Sequence, residues 1–303
     1  VGATATVVSS SLFSGDEGPI ETPPDLCIKV QELGVPCEHL NATTMDGFVL
    51  DVVRIPPPNA SSPLAMPVVL QHGLYMTAAC FVANNRPELN LATILHSQGY
   101  DVYLPNSRGN HYSLTNTRYP VRNASFWRMV DYDEMAAFDV PAVIDTVLAH
   151  NAAHTAANAS QVVWVGHSQG TAMIFAGMSI SAKRYAAKIS VFIALAPVAF
   201  SMNKTAPIAV AMCKYHVAEK QLAEGHYFAL ENDKAFQEAA SVCPTTGELC
   251  SAVMGAMFGW GNLSNFAPNL YPDNTKYTPG GTSTSNLIHW CQGTYDHDFA
   301  MHD

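Results

Sequence analysis

The sequence has few charges and no long apolar run, and both shortages limit what the protein can be. Only 13% of its 303 residues are charged, and its 15 Lys and Arg residues form no run. A nucleic-acid partner is therefore not expected, because phosphate binding needs grouped cations. No apolar stretch reaches the roughly 18 residues of a membrane span, and the longest candidate, residues 189–200, contains Pro197. We therefore expect no transmembrane segment.

The chain also lacks a C-x-x-C pair and a basic leader followed by an apolar run. The first absence removes the usual sequence sign of a zinc site, and we expect neither a metal nor an organic cofactor. Because Val1 is not a start residue, we expect an N-terminus that has already been processed. A secreted protein, or one of the lumen of a lysosome or vacuole, is favoured by six N-x-Ser/Thr sequons. These predicted glycosylation sites are Asn41, Asn59, Asn123, Asn158, Asn203 and Asn262.

Cysteine is the other guide to the compartment, and the chain has seven. The spacing suggests two local disulfides, Cys27–Cys37 and Cys243–Cys250. The pairing of the remaining three stays open; they are Cys80, Cys213 and Cys291. An odd cysteine must be free or bonded to another polypeptide.

Strand and helix patterns alternate through the first two thirds of the chain. Alternation of this kind indicates an α/β fold, in which a mostly parallel sheet has helices on both faces. The predicted strands are 39–43, 48–54, 67–70, 101–104, 162–165 and 190–195, and the predicted helices are 91–98, 133–149 and 169–180. From about residue 202 the pattern becomes helical and loop-rich, with scattered Met and aromatic residues, which indicates an inserted cap.

One motif carries chemistry, the G-x-S-x-G sequence from Gly166 to Gly170. It lies between a predicted strand and a predicted helix, the context of a nucleophile elbow that presents Ser168 above the sheet. The N–H of Gln169 is then one expected oxyanion donor. The second is expected from Leu74, in the loop that follows the strand at 67–70.

Other polar residues near these segments are interpreted as structural. His72 precedes a glycine at a strand end, and His167 points away from the substrate side of an elbow. Arg108 is expected to form a buried ion-pair cluster, rather than a catalytic one, that fixes the loop after the strand at 101–104. Its expected partners are Asp131, Asp133 and Glu134.

Together these segments resemble the acid lipase family, which includes gastric and lysosomal acid lipases. The matching pieces are Thr44-Met45-Asp46-Gly47-Phe48, Arg54-Ile55-Pro56, Leu70-Gln71-His72-Gly73-Leu74, Gly99-Tyr100-Asp101-Val102, Asn106-Ser107-Arg108-Gly109-Asn110, Phe126-Trp127, Asp133-Glu134-Met135-Ala136, Phe138-Asp139, Pro141-Ala142-Val143-Ile144, Gly166-His167-Ser168-Gln169-Gly170-Thr171, Ala194-Leu195-Ala196-Pro197, Gly281-Thr282-Ser283-Thr284-Ser285-Asn286 and His289-Trp290. The resemblance implies an α/β-hydrolase core with a helical cap or lid. It also implies hydrolysis of neutral lipid esters, triacylglycerol or steryl ester, at a lipid interface. It places Cys243–Cys250 where the family has a cap disulfide.

The expected organisation follows from these assignments. Residues 1–25 form an extended arm, residues 26–201 and 286–303 form an incomplete hydrolase core, and residues 202–285 form the cap. The family's catalytic Asp and His follow the His289-Trp290 segment at a distance, on the last strands of the sheet. Neither has a counterpart in this chain, so the final strands of the core are expected to be absent from it.

Three explanations of the missing pair are open. A companion chain from the same precursor supplies the Asp and His, with the odd cysteine as a possible link. Alternatively, the pair comes from the end of this chain, where Asp296, His297, Asp298 and His302 lie. In the third, the chain is an inactive lipase-like scaffold or lipid-binding module. We expect the first, which makes the protein a serine lipase or esterase acting through an acyl-enzyme on Ser168.

Overall fold

A mixed sheet runs through the part of the chain that the structure, a computed structural model, describes. That part comprises residues 13–14, 23–200, 206–229, 245, 247, 250, 252, 255–256, 268–296 and 298–302. The strands are β1 (Phe13–Ser14), β2 (Glu38–Thr43), β3 (Phe48–Ile55), β4 (Pro67–Gln71), β5 (Asp101–Pro105), β6 (Thr115–Asn116), β7 (Val162–His167), β8 (Ile189–Leu195), β9 (Phe228–Ala229) and β10 (Thr282–Ser283).

The larger sheet has seven strands in the order β2-β3-β5-β4-β7-β8, with β6 paired to β3. The first strands are antiparallel: β2 and β3 form a hairpin, and β3 pairs with β5. The chain then crosses over repeatedly, so that β5, β4, β7 and β8 are parallel. This confirms the mostly parallel α/β sheet. It also brings the ends of β4 and β7 side by side, with Gln71 opposite Gly166.

Helices cover both faces of this sheet. They are α1 (Leu26–Glu32), α2 (Leu91–Ser97), α3 (Ala124–Trp127), α4 (Tyr132–Glu134), α5 (Val140–His154), α6 (Gln169–Lys188), α7 (Pro207–Lys214), α8 (Val217–Ala223), α9 (Tyr271–Asn274) and α10 (Thr284–Tyr295). The helices α5 and α6 contribute to one buried cluster, around Trp164, and α1 and α2 to the other, around Leu70. Both faces of the sheet are therefore buried, as parallel strands require.

Two predicted helices differ from the structure. The helix expected at 133–149 is three pieces, α4, a π-helical turn at Met135–Asp139 and α5. Pro141 explains the break, because it has no N–H to donate and its ring crowds the carbonyl four residues earlier. The helix expected at 169–180 continues to Lys188, across a non-helical residue at Ser181.

Two disulfides join described residues. Cys27–Cys37 is confirmed, and Cys213–Cys291 ties α7 to α10. Cys80 is a free thiol, and burial raises its pKa to about 12. The predicted Cys243–Cys250 bond stays a prediction, because Cys243 lies outside the described residues.

A second, small sheet connects distant parts of the chain. Strand β9 pairs antiparallel with both β1 and β10. Much of the predicted cap at 202–285 lies outside the described residues, and its described elements include α7, α8, β9 and α9. The expected domain boundaries therefore stay predictions. Within the described ranges, no helix combines the length and apolar character needed to cross a membrane.

Candidate active site

Ser168 occupies a sharp turn between β7 and α6. Its backbone angles, φ 52° and ψ −118°, lie where residues other than glycine are rare. The Ser168 N–H donates to the Leu195 carbonyl at 3.0 Å, which fastens the turn to the end of β8. Backbone strain of this kind costs about 1–3 kcal/mol and persists only where the surroundings enforce it. The elbow expected from the G-x-S-x-G motif is thus present as backbone geometry.

Glycines on each side of Ser168 allow this turn to pack tightly. A Cβ on Gly166 would lie 2.4 Å from the Gly170 carbonyl oxygen, and a Cβ on Gly170 would lie 2.6 Å from the Gln71 carbonyl oxygen. Both distances are too short for any side chain. The first turn of α6 can therefore approach the end of β4 only with glycine at these positions.

The Ser168 side chain is half-buried, and its hydroxyl makes no hydrogen bond with a described residue. The carbonyl oxygen of the same residue accepts two bonds from Thr171, from its N–H at 2.8 Å and from its hydroxyl at 2.6 Å. The backbone of the turn is thus held while the hydroxyl stays available. A serine without an adjacent base is a weak nucleophile, so an activating group must come from elsewhere.

The loop after β4 touches this turn. A Cβ on Gly73 would lie 2.8 Å from the Ser168 Cβ. Within the described part of the chain, the N–H groups of Leu74 and Gln169 make no hydrogen bond. Unpaired backbone N–H groups beside a serine hydroxyl are donors of the kind that stabilises an oxyanion. The assignment of this role to Leu74 and Gln169 stays a prediction.

A segment far along the chain supports the same loop. Tyr75 has a left-handed φ of 62°, and its carbonyl accepts the Gly280 N–H at 2.6 Å. Thr77 donates its hydroxyl to the Tyr277 carbonyl at 3.0 Å. Residues 277–280 therefore fix the conformation of the loop that carries Leu74.

His72 is part of this support and not a base. Its Nδ1 lies 2.8 Å from the Gly73 carbonyl, and its Nε2 accepts the Ser107 N–H at 3.0 Å. Burial lowers the His72 pKa to about 4, so the ring is neutral and carries its proton on Nδ1. The structural interpretation of His72 agrees with these contacts.

His167 precedes the nucleophile but is turned toward the loop after β4. Its Nδ1 lies 3.2 Å from the position that a Cβ on Gly73 would take. That atom is buried and has no hydrogen-bond partner among the described residues. Burial lowers the His167 pKa, which favours the neutral ring. Nothing in these contacts places an imidazole nitrogen on the Ser168 hydroxyl.

The Gln169 side chain has partners that the sequence did not reveal. Its Oε1 accepts the Asn286 Nδ2–H at 2.9 Å and the Trp290 Nε1–H at 2.8 Å. Its Nε2 lies 3.4 Å from the Met135 sulfur. The residue after the nucleophile is therefore anchored to α10. The only sequence signal was that Asn286 and Trp290 fall in segments typical of the acid lipase family.

Among the described residues near residue 300, none contacts the Ser168 hydroxyl. His302 Nδ1 lies 3.2 Å from Asp131 Oδ2, and the His302 N–H donates to Asp133 Oδ2 at 2.9 Å. Neither Asp296 nor Asp298 bonds a histidine within the described ranges, and His297 lies outside them. A triad from these residues is therefore not supported.

Arg108 forms the expected buried ion-pair cluster, but with other partners. Its guanidinium lies 2.6 Å from Asp46 Oδ2 and 2.7 Å from Asp139 Oδ1, and it stacks on the Phe48 ring at 4.2 Å. The prediction of Asp131, Asp133 and Glu134 as partners was wrong. Asp131 instead caps α4 by accepting the Asp133 N–H, and the same oxygen, Oδ1, lies 2.7 Å from His289 Nδ1 of α10.

Four of the predicted glycosylation sites lie in the described ranges, and all four are exposed. They are Asn41, Asn59, Asn123 and Asn158. Exposure is required for a glycan but does not establish one. Asn203 and Asn262 lie outside the described residues.

Known proteins resemble this chain over most of its length. The family model described as "Partial alpha/beta-hydrolase lipase region" matches residues 29–85, and "alpha/beta hydrolase fold" matches residues 66–211. Gastric triacylglycerol lipase of Homo sapiens is 32% identical over 295 residues, which cover 92% of this chain and 70% of that protein.

Two further relatives give the same picture. Lipase member K of Mus musculus is 32% identical over 95% of this chain and 72% of that protein. Gastric triacylglycerol lipase of Bos taurus is 34% identical over 94% of this chain and 72% of that protein. The chain thus spans about 70% of the length of these relatives.

Proposed function

We propose that Ser168 is the nucleophile through which this protein cleaves neutral lipid esters. The chain belongs to the acid lipase family of α/β-hydrolases and is a carboxylic-ester hydrolase. The observation that carries this proposal is the strained turn at Ser168, with φ 52° and ψ −118°. Its hydroxyl is free of hydrogen bonds to described residues, and so are the N–H groups of Gln169, the next residue, and of Leu74, in the loop that touches the turn. Strain and unpaired donors at one place are typical of a site that binds its partner only during reaction.

The reaction follows from this geometry. The Ser168 oxygen attacks the ester carbonyl and gives its proton to a general base. The carbonyl oxygen becomes an oxyanion, which the N–H groups of Leu74 and Gln169 stabilise. The alcohol then leaves with a proton from the base, and water cleaves the acyl-enzyme in a second, equivalent step.

The base and its aspartate come from a further polypeptide segment that joins the sheet at β8. Among the described strands, β8 pairs only with β7, so its other edge is open. Three apolar side chains on this strand are exposed: Val191 at 48%, Ile193 at 43% and Leu195 at 37%. An exposed apolar edge strand is a pairing and packing surface. A strand added parallel to β8 would end at the same edge of the sheet as Ser168, whose N–H bonds Leu195 at the end of β8.

The substrate is a triacylglycerol or a steryl ester taken from a lipid interface. An apolar cluster borders the loop that carries Leu74. Ala218 and Leu287 are buried in it, and Leu74, Met212 and Val217 are partly buried against them. Apolar and Met-containing walls beside the reacting carbonyl suit an acyl chain better than a polar one.

The protein acts outside the cell or in the lumen of a lysosome or vacuole. Support comes from its two disulfides among described residues, which persist in oxidising compartments. The exposed sequons point the same way.

Covalent labelling tests the nucleophile. A serine-directed phosphonate with an alkyl chain should label the purified protein once, at Ser168, as read by intact mass and peptide mapping. The Ser168→Ala variant should take no label. Ser179→Ala is the matched control, because Ser179 lies on the same helix with its hydroxyl bonded to the Phe175 carbonyl. Labelling that survives in Ser168→Ala would refute the assignment.

Two further measurements separate the alternatives. Denaturing, reducing mass analysis of the purified, active protein should show a second polypeptide or a longer chain, and an active single species of residues 1–303 would refute the added segment. The release of fatty acid from emulsified triacylglycerol and steryl ester measures catalytic turnover. Binding of these esters without any release, together with no phosphonate labelling, would indicate an inactive lipid-binding module instead.

A further inference from the structure

A buried carboxylate and two imidazoles meet at a place distinct from Ser168. Asp131 is the N-cap of α4, His289 lies on α10, and His302 follows that helix. Asp131 and His289 are each 1% exposed, and His302 is partly exposed. Their nearest ligand atoms all lie within 4.8 Å of one another.

The hydrogen bonds of His289 determine which atom faces the cluster. Its Nε2 lies 2.9 Å from the Ala300 carbonyl oxygen, which can only accept, so Nε2 carries a proton. Its Nδ1 lies 2.7 Å from Asp131 Oδ1, which is another acceptor. The ring therefore either carries a proton on each nitrogen and pairs with the carboxylate as an imidazolium, or holds a cation in place of the Nδ1 proton. Metal-binding histidines commonly donate their other N–H to a backbone carbonyl in this way.

The second oxygen of Asp131, unlike the first, makes no hydrogen bond. Oδ2 is buried, and His302 Nδ1 lies 3.2 Å away but outside hydrogen-bond geometry. In a tetrahedral zinc site with bonds of about 2.0–2.1 Å, ligand atoms are roughly 3.3 Å apart. The 3.2 Å between His302 Nδ1 and Asp131 Oδ2 matches that spacing. The 2.7 Å between His289 Nδ1 and Asp131 Oδ1 is a direct contact, which must lengthen by about 0.6 Å to admit the ion.

We propose that Asp131, His289 and His302 bind a divalent transition-metal ion of the zinc type. Two imidazole nitrogens and one carboxylate oxygen suit zinc, whereas calcium and magnesium prefer oxygen alone. Since His302 is partly exposed, a water molecule completes the coordination from the solvent side. The site is structural, since none of these side chains contacts Ser168.

Such an ion would stabilise the region that anchors Gln169. His289 is next to Trp290 and one helical turn from Asn286, and both of these bond the Gln169 side chain. The ion would join the start of α4, the middle of α10 and the segment at 298–302. It would therefore fix α10 where Gln169 depends on it.

The other cluster of ligand-type residues does not have this character. Asp25, Cys27 and His39 also lie close together. The Cys27 sulfur is bonded to Cys37, so it cannot act as a thiolate. His39 already has a carboxylate on each ring nitrogen, at 2.8 Å from Asp25 and 2.6 Å from Asp51.

Metal titration of the whole protein tests the proposal. After treatment with a chelator and its removal, the protein should bind one equivalent of Zn²⁺, measured by equilibrium dialysis, and its melting temperature should rise. Co²⁺ should bind at the same site with the visible absorption of a four-coordinate ion. We expect Zn²⁺ affinity to fall at least about tenfold in His302→Gln and in Asp131→Asn.

The variants are chosen to keep the fold. Asparagine at 131 can still cap α4, where the Asp131 Oδ1 now accepts the Asp133 N–H at 3.0 Å. His216→Gln is the control, because His216 is an exposed histidine paired with Glu219 at 3.0 Å. This variant should bind Zn²⁺ as the unmodified protein does. The proposal is overturned if the folded protein binds no Zn²⁺, or if His302→Gln and Asp131→Asn bind it with unchanged affinity.

Discussion

Replacing Gly73 with alanine tests whether the loop after β4 and the nucleophile turn depend on each other. The added Cβ would lie 2.8 Å from the Ser168 Cβ and 3.2 Å from His167 Nδ1. Carbon atoms pack at about 3.5–4.0 Å, so the loop and the turn must separate by roughly 0.7 Å or more. Gly73 does not have a left-handed φ. The backbone itself therefore accepts alanine, and the contact alone produces the effect.

The expected loss follows from this displacement. A shift of about 1 Å at a reacting group costs about 100-fold in rate, and loss of one oxyanion donor costs about 10²–10³-fold. We therefore expect the alkyl phosphonate to label Ser168 about 100-fold more slowly in Gly73→Ala. Overpacking of this kind also lowers the free energy of unfolding by about 1–3 kcal/mol, measured by urea denaturation.

Gly99→Ala is the matched control. Gly99 has a left-handed φ of 95°, but a Cβ there would meet nothing within 4 Å. Alanine at this position should cost about 1–2 kcal/mol of stability through backbone strain, with the labelling rate unchanged. The reasoning fails if folded Gly73→Ala is labelled at the unmodified rate. It also fails if Gly99→Ala slows labelling to the same extent, because a general loss of stability would then explain both.

Three other predictions concern stability. Arg108→Met leaves two buried carboxylates without their cation, so urea denaturation should show a loss of about 3–5 kcal/mol, and a loss below about 1 kcal/mol would contradict the role of the pair. The hydrogen bond to Asp51 raises the His39 pKa to about 9 in the folded protein. An unfolded histidine titrates near 6.5. The stability that the charged His39 contributes is therefore fully present below about pH 6.5 and is lost as pH rises through about 9. The melting temperatures of the unmodified protein and His39→Gln should therefore converge between pH 6 and 10 (roughly the span of the two pKa values), and a constant difference would refute this. Finally, replacing Cys213 and Cys291 with serine should cost about 4.5 kcal/mol and opening the 27–37 disulfide about 2.7 kcal/mol, since the closed loops differ in length. Equal losses in urea denaturation would exclude loop length as the cause.

The parts of the fold that could be predicted are those that local sequence determines. The hairpin of β2 and β3 follows from alternating residues around the Asp46-Gly47 turn, and the strand ends agree within one or two residues. The elbow at Ser168 follows from glycines at 166 and 170, whose lack of a Cβ the structure shows to be necessary. The broken helix at Met135–Asp139 was missed, although Pro141 was a local signal that the apolar spacing outweighed.

Pairings across the sequence could not be predicted in the same way. Arg108 has acidic residues at several distances along the chain, and charge alone does not choose among them. It pairs with Asp46, 62 residues away, and Asp139, 31 residues away, because the turn between β2 and β3 and the π-helical turn converge on its loop. Likewise, Cys213–Cys291 spans 78 residues, and spacing alone gave no reason to prefer it over a bond to Cys80.

The same limit applies to the support of the candidate site, and here it has a functional consequence. Gln169 is recognised in the sequence for its backbone N–H, yet its side chain depends on Asn286, which is 117 residues away. Asn286 lies on α10, which is fixed by the Cys213–Cys291 bond and by the contact between His289 and Asp131. Changes in the positions of these anchors would therefore alter the orientation of Gln169 without touching Ser168. The motif specifies the nucleophile turn, whereas the geometry of the donor beside it depends on residues that only the tertiary structure brings together.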